Sequence, residues 1–427
     1  MHIYIPEEIP SGNKGEQAIL EGIYQGLKDQ GKDVFISVFS FHPEIDKINY
    51  SKKFKVVQGI TFRPRSDKPI FLKVLDMFNI WGKHLSFLLF WAVLKDKCLF
   101  FFRAENWKAY CKSDVILVGH DGVLSDINLL FAIFVKGIGK KTAIFGCGFK
   151  KFRFRITEKL APYIMSKIDL VILREKRSYN YLHSLGVPAN KIDLKPDPAF
   201  LMKAADDSEI DRIFEKERLI TDEKPLIGMI ALRRSIHFNN FFEHIHNEEE
   251  KYWKLMEFFA RMVEIIIETT SGKAVFIPHS IGKSYKTDDR VCARDIKSKM
   301  KKNVEHVILI ENEYDAITLK GFIQRLDFLV SQRLHAVIGA GSVGTPFLMI
   351  TVKEDGRAHD IVEDTIGRDD LLFDINNPAI IDFAGKFERK WHQRHEIKEY
   401  LISKAEVIRI ECHEAASRLA NLCTSQK

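Results

Sequence analysis

Short apolar runs that end in a glycine or a charged cluster and lead into a helical stretch recur through this chain of 427 residues. That alternation constrains the fold more than any other feature. Residues 2–5 read as a strand, a loop with Pro10, Gly12 and Gly15 follows, a helix runs over 16–30, and 33–40 is the next strand. A strand, loop, helix and strand in that order predict a parallel, doubly wound sheet. Further short strands are expected at 114–118, 142–145, 170–173 and 192–195. A second series begins at 226–231 and continues through 274–277, 307–310, 328–330 and 347–350. The stretch between, 204–223, is charged and weakly apolar and reads as the domain junction.

The fold class is therefore α/β, with two doubly wound, Rossmann-like domains facing a cleft in a GT-B-like layout. The expected division is an N-terminal domain over 1–205, a junction over 206–224 and a C-terminal domain over 225–378. Helices over 379–427 would pack back on the first domain, with Trp391, Ile397, Tyr400 and Leu401 on an apolar stripe. The length suits two or three domains. Hydrophobic residues at 46% and charged residues at 29% suit full cores.

In open α/β sheets, ligands bind beyond the carboxyl ends of strands, and the chemistry-bearing residues fall there. Arg333 and His335 sit where the strand over 328–330 turns into a helix, facing any anion held by the first amides of that helix, those after Leu334 among them. Singly, each reads as a packed or ion-paired residue; as a pair at this turn they read as functional. The loop Ser11-Gly12-Asn13-Lys14-Gly15-Glu16 reads equally as a substrate loop or as a flexible turn, and it lacks the dinucleotide fingerprint. Gly119-His120-Asp121-Gly122 follows another strand, and its glycines allow close backbone approach. His279 follows the strand over 274–277. Asp197, in a rigid Pro-Asp-Pro turn, reads as a structural cap.

Six scattered cysteines with no metal-ligand spacing argue for free thiols, no zinc site and a reducing compartment. The N-terminus opens directly into a strand with no visible signal peptide, so a cytoplasmic location is expected. The net charge of +7, from 65 Lys and Arg against 58 Asp and Glu, is small for the length. It lacks the basic stripe with interleaved aromatics that nucleic-acid binding requires. Residues 70–102 are rich in Phe, Leu and Trp. The almost wholly apolar part, 85–94, is shorter than the roughly 18 residues of a membrane span. It reads as a buried helix; the alternative is a patch for peripheral contact with the inner face of the plasma membrane, relevant if the acceptor is lipid-linked.

The motifs, taken together, resemble the polysaccharide pyruvyl transferase family. The likeness starts at Gly12-Asn13-Lys14-Gly15-Glu16, with Glu16 at the family's usual Asp, and continues through Val118-Gly119-His120-Asp121-Gly122, where the family has a Gly-Gly pair. It then takes in Arg174-Glu175-Lys176-Arg177-Ser178, Pro196-Asp197-Pro198-Ala199, Pro278-His279 and Ser331-Gln332-Arg333-Leu334-His335. The resemblance implies transfer of a pyruvyl group from phosphoenolpyruvate to two sugar hydroxyls, closing a cyclic ketal and releasing phosphate. It links Arg333 and His335 to the donor and gives Arg174 a donor-anion role, with Arg177 competing for it. The chemistry of the step then assigns His335 as general acid, because His titrates near neutral pH, and Arg333 and Arg174 as the donor-anion clamp. His279, after another strand, is a donor-side candidate that singly reads as a packed or capping residue. Asn13, Lys14, His120 and Asp121 would face the acceptor. The scheme needs no metal and no cofactor beyond phosphoenolpyruvate as co-substrate. A GT-B glycosyltransferase using a nucleotide sugar and a catalytically silent binding protein are the alternatives.

Overall fold

The computed structural model describes residues 1–425 apart from 51–52, 65–68, 121–123, 220–223, 233–244, 283–286 and 376–378. Contacts divide the chain into two compact units. Unit 1 comprises Met1–Ser11, Ile19–Leu201 and Ile410–Lys427; unit 2 comprises Gly12–Ala18 and Met202–Arg409.

Unit 1 is built on seven strands: β1 (His2–Glu8), β2 (Phe35–Phe39), β3 (Phe54–Val57), β4 (Val115–Leu117), β5 (Lys141–Cys147), β6 (Leu170–Leu173) and β7 (Asp193–Leu194). They pair in parallel in the order β3-β2-β1-β4-β5-β6-β7. Unit 2 has six: β8 (Leu226–Ile230), β9 (Lys273–Phe276), β10 (Val307–Leu309), β11 (Phe328–Ser331), β12 (Phe347–Thr351) and β13 (Leu372–Asp374). These are also parallel, in the order β10-β9-β8-β11-β12-β13. Each sheet therefore starts at a central strand, runs outward on one side and then returns to the other. This is the doubly wound pattern, and the strand order reverses beside β1 and β8.

Helices cover the sheets because parallel strands are apolar on both faces. In unit 2 the helix Glu248–Thr270 buries Phe259, Val263 and Ile266 in the core with Val330 and Leu348. Asn247 caps its start, its Oδ1 accepting from the amides of Glu249 and Glu250, and the exposed Glu248-Glu249-Glu250 run complements the positive helix end. In unit 1, Trp107, Tyr110, Phe131 and Phe134 form an aromatic core around His84.

One expectation is corrected. The apolar segment forms a 25-residue helix, Ile70–Leu94, in which only Ile80, His84 and Phe87 are buried. Lys73, Asp76 and Lys83 interrupt the apolar sequence, so the run looks short, yet none of them stops the helix. It is long and apolar enough, by length and composition, to cross a membrane, and it is the one such helix among the described residues.

Candidate functional site

A cluster of cationic and titratable side chains at strand ends lies in unit 2, beyond β9 and β11, which flank β8 on either side. β11 ends in Ser331. Its buried hydroxyl accepts from the Arg333 amide at 2.9 Å and donates to the Arg333 carbonyl at 3.1 Å, which fixes the turn. The helix Leu334–Val343 starts there with Arg333 as N-cap, so its first amides lack intrahelical partners. The Arg333 guanidinium forks onto Asp289, with Nη2 to Oδ1 at 2.6 Å and Nε to Oδ2 at 3.2 Å. Asp289 Oδ2 also accepts from the amides of His279 and Ser280 at 3.0 and 2.8 Å. One nearly buried carboxylate thereby ties the turn after β11 to the turn after β9. Burial pushes the Asp289 carboxyl up from its usual range, against the pull of Arg333 and the two amides.

His279 is buried, and its Nδ1 has no hydrogen-bond partner among the described residues. Burial first, then the charges of Arg333, His335 and Lys14, push its imidazole well below the usual range, so the ring is neutral near pH 7. A neutral imidazole and three cationic or titratable neighbours make a site suited to an anion.

The loop Gly12–Ala18 clusters with this unit. Asn13 bridges to Ser280, the Lys14 amide donates to the His279 carbonyl at 3.1 Å, and the Ile281 amide donates to the Gly12 carbonyl at 2.9 Å. The Lys14 side chain is buried, with Nζ 2.6 Å from Glu313 Oε1. A Cβ on Gly12 would stand 2.2 Å from the Ile281 carbonyl oxygen, and one on Gly15 would stand 2.6 Å from His335 Nδ1. Both glycines are therefore required by close approach, which resolves the two readings of this loop in favour of an ordered one. Asn13 turns inward on the loop itself, accepting from the Gly15 amide and donating to Glu16.

Several assignments change. Lys14, expected on the acceptor side, lies instead in the His279–Arg333–His335 cluster. Arg174, expected to clamp the donor, has a side chain with 0% exposure, paired at 2.5 Å with Asp197 and at 3.6 Å with Glu175. A guanidinium enclosed in that way is a structural strut. Asp197 accepts from the Ala199 amide, and Glu175 accepts from Ser178, whose hydroxyl takes the Phe149 amide. The Arg-Glu-x-x-Ser and Pro-Asp-Pro-Ala motifs are thus two halves of one buried polar lock. Arg177 is exposed on the helix Lys176–Ser184.

In unit 1, His120 follows β4 and its Nδ1 lies 3.5 Å from Glu7 Oε2, while Arg63 Nη1 is 3.0 Å from Glu7 Oε1. Burial raises the Glu7 carboxyl, but His120, Arg63 and Asn128 outweigh it and hold the group below the usual carboxylate range. Asp121 lies outside the described residues. Sequence reasoning missed Glu7, Arg63 and Asp289. Glu7 stands next to the end of β1, after its apolar run and beside the reversal of strand order, and that position was its available signal.

These features define a two-domain α/β protein that gathers cations at a strand-order reversal. Solved structures share the fold. A glycosyltransferase from Rickettsia africae superposes with a TM-score of 0.58 at 9% identity, over 100% of this chain and 99% of that one. The UDP-GlcNAc 2-epimerase from Neisseria meningitidis, bound to UDP-GlcNAc, gives 0.53 at 12% identity over 99% and 98%. That from Methanocaldococcus jannaschii gives 0.51 at 15% over 96% and 99%. No curated protein matches the sequence. The family model for polysaccharide pyruvyl transferase matches residues 13–354, and the chain belongs to that family.

Proposed function

We propose that this protein moves a pyruvyl group from phosphoenolpyruvate to two hydroxyls of a sugar, in a surface polysaccharide or its lipid-linked precursor. The observation that carries the reading is the gathering of Lys14, His279, Arg333 and His335 in unit 2 of a pyruvyl transferase family member. The donor bears a phosphate and a carboxylate, and such an anion needs several cationic groups and helix-end amides. Arg333 spends two N–H bonds on Asp289, and Nη1 lies outside that pair.

His335 gives a proton to the donor's methylene carbon, leaving a cationic centre at the adjacent carbon. The first sugar hydroxyl adds there, the bond from that carbon to the phosphate oxygen breaks, and the second hydroxyl closes the ketal. One hydroxyl proton returns to His335 and the other leaves with phosphate, so the cycle balances. Gly15 keeps the backbone against the His335 ring and thereby fixes its position. His120 with Glu7 offers the donors and acceptors that sugar hydroxyls use, and is proposed as an acceptor group.

The test is incubation with phosphoenolpyruvate and a panel of glycosides, reading phosphate release and the pyruvylated product by mass spectrometry. His335→Ala is expected to lower kcat by about 10²–10⁴-fold. Arg333→Lys should raise KM for the donor by roughly tenfold or more, because a lysine cannot fork onto Asp289 and offer a further N–H to the donor as the planar guanidinium does. Full turnover by His335→Ala would remove the general-acid role. The fold shared with a glycosyltransferase favours a second reading, transfer from a nucleotide sugar; nucleotide release when the same glycosides are given nucleotide sugars, with no phosphate released from phosphoenolpyruvate, would establish it instead.

A further inference from the structure

The helix Ile70–Leu94 leaves unit 1 with an apolar surface that no described residue covers. Phe71, Phe78 and Val93 are 71%, 75% and 80% exposed. None of residues 70–79 is buried, so the first turns are apolar and open on nearly every side. The second half is different: His84 and Phe87 pack on Trp107 and Phe134 in the core. This helix packs on the helix Asp126–Gly137, which packs in turn on the helix Arg155–Lys167. The outer faces of those two helices continue the surface with Leu130, Ile133, Ile156 and Tyr163, all at least 48% exposed.

Positive charge is concentrated around this surface. Residues 69–103 and 150–167 together hold eleven Lys and Arg against three Asp and Glu, in a chain whose totals are 65 and 58. These two segments account for the whole net charge. Several cations sit over the aromatic rings of the surface: Arg103 over Phe100 at 5.3 Å, Arg153 over Phe154 at 5.9 Å and Lys167 over Tyr163 at 5.3 Å.

We propose that this face, the helix Ile70–Leu94 with its two neighbours, is where the protein lies on an anionic lipid bilayer. The inference goes beyond the transferase reading and stands without it. Amphipathic surfaces that lie at the headgroup boundary combine apolar area, aromatic rings and Lys or Arg in this way. A second copy of the chain is disfavoured by symmetry, because a two-fold interface would set the eleven cations against their own equivalents. A groove in a protein partner covers one stripe of a helix, whereas residues 70–79 are open all round, as the lipid boundary allows. The core packing of Ile80, His84 and Phe87 makes the helix lie on the bilayer and not span it.

The experiment is flotation of the whole protein with vesicles of phosphatidylcholine alone and of equal parts phosphatidylcholine and phosphatidylglycerol. Binding is expected to the mixed vesicles, to be about tenfold weaker to the neutral ones, and to fall with salt. Two triple variants divide the surface: Phe71→Ser with Val74→Ser and Phe78→Ser, and Lys151→Glu with Arg153→Glu and Arg155→Glu. All six positions are exposed, so both should melt as the parent does, and each should bind the mixed vesicles at least about tenfold more weakly. No flotation of the parent with the anionic vesicles overturns the proposal. So does a dimer in sedimentation that the serine variant dissolves, or an acidic protein that holds the face in place of lipid. Flotation does not depend on turnover, so a failed pyruvyl transfer assay leaves this result intact.

Discussion

Two glycines in one loop separate stability from chemistry. A methyl group on Gly12 would meet the Ile281 carbonyl oxygen at 2.2 Å, part of a backbone that has little room to give. A methyl group on Gly15 would meet the His335 ring at 2.6 Å, and a ring can rotate. Gly12→Ala is therefore expected to destabilise the fold by roughly 1–3 kcal/mol, read from urea unfolding. Gly15→Ala should leave the unfolding midpoint nearly unchanged and lower kcat by about tenfold or more, because a displaced acid misses its carbon. Equal loss of stability in both variants would argue against a positioning role for Gly15. The sequence exposed Arg333 and His335 because a strand end and a helix start bracket them. Asp289 was not legible: it opens a helix after the turn that follows β9, and its partnership with Arg333 spans 44 positions of chain. Arg174 misled in the opposite sense. An Arg after a strand looks like an anion clamp until its burial against Asp197, 23 residues on, is seen.

At the level of elements, the interior strands and the edge strands β7 and β10 were legible, and the edge strands β3 and β13 were not. β1, β4, β8 and β11 lie inside their sheets and carry the buried apolar runs 3–5, 115–117, 227–230 and 328–330. β3 and β13 are four and three residues long, end their sheets and carry Lys55 and Asp374, so they give no apolar run to see. The helix Ile70–Leu94 was misread for a related reason: apolar content cannot say whether a face is covered. Helix ends were clearer, and one of them supports a prediction. The helix Leu334–Val343, which presents Arg333 and His335 at its start, is stopped by Gly344 at φ +82°. Only glycine takes that conformation without strain, and a Cβ there would stand 2.5 Å from Ile402. Gly344→Ala should cost about 1–2 kcal/mol of stability by urea unfolding, from the left-handed backbone and the contact together. A loss well under that range would mean that the helix end can rearrange.

For the molecule as a whole, buried histidines set a limit on acid tolerance. His84 in unit 1 lies among aromatic rings, its Nδ1 hydrogen-bonded to the Ile80 carbonyl at 2.8 Å, and burial pushes it down to about 4. His279 in unit 2 is driven well below its ordinary value by burial and by Arg333, His335 and Lys14. In the unfolded chain both titrate near 6.5. Below that pH the unfolded state takes up protons that the folded state refuses, so stability falls as the pH drops from 6.5 towards the folded values. For His84 the full loss is on the order of 3 kcal/mol, reached near pH 4. Denaturant unfolding at pH 7.5 and pH 5 should show part of this loss in the parent, and His279→Gln should show less of it, since glutamine binds no proton. An anion held beside His279 would favour the protonated ring and raise its pKa, so phosphoenolpyruvate should reduce the acid loss in the parent but not in His279→Gln. Equal protection of both proteins would place the donor's charge away from His279 and remove that histidine from the donor site.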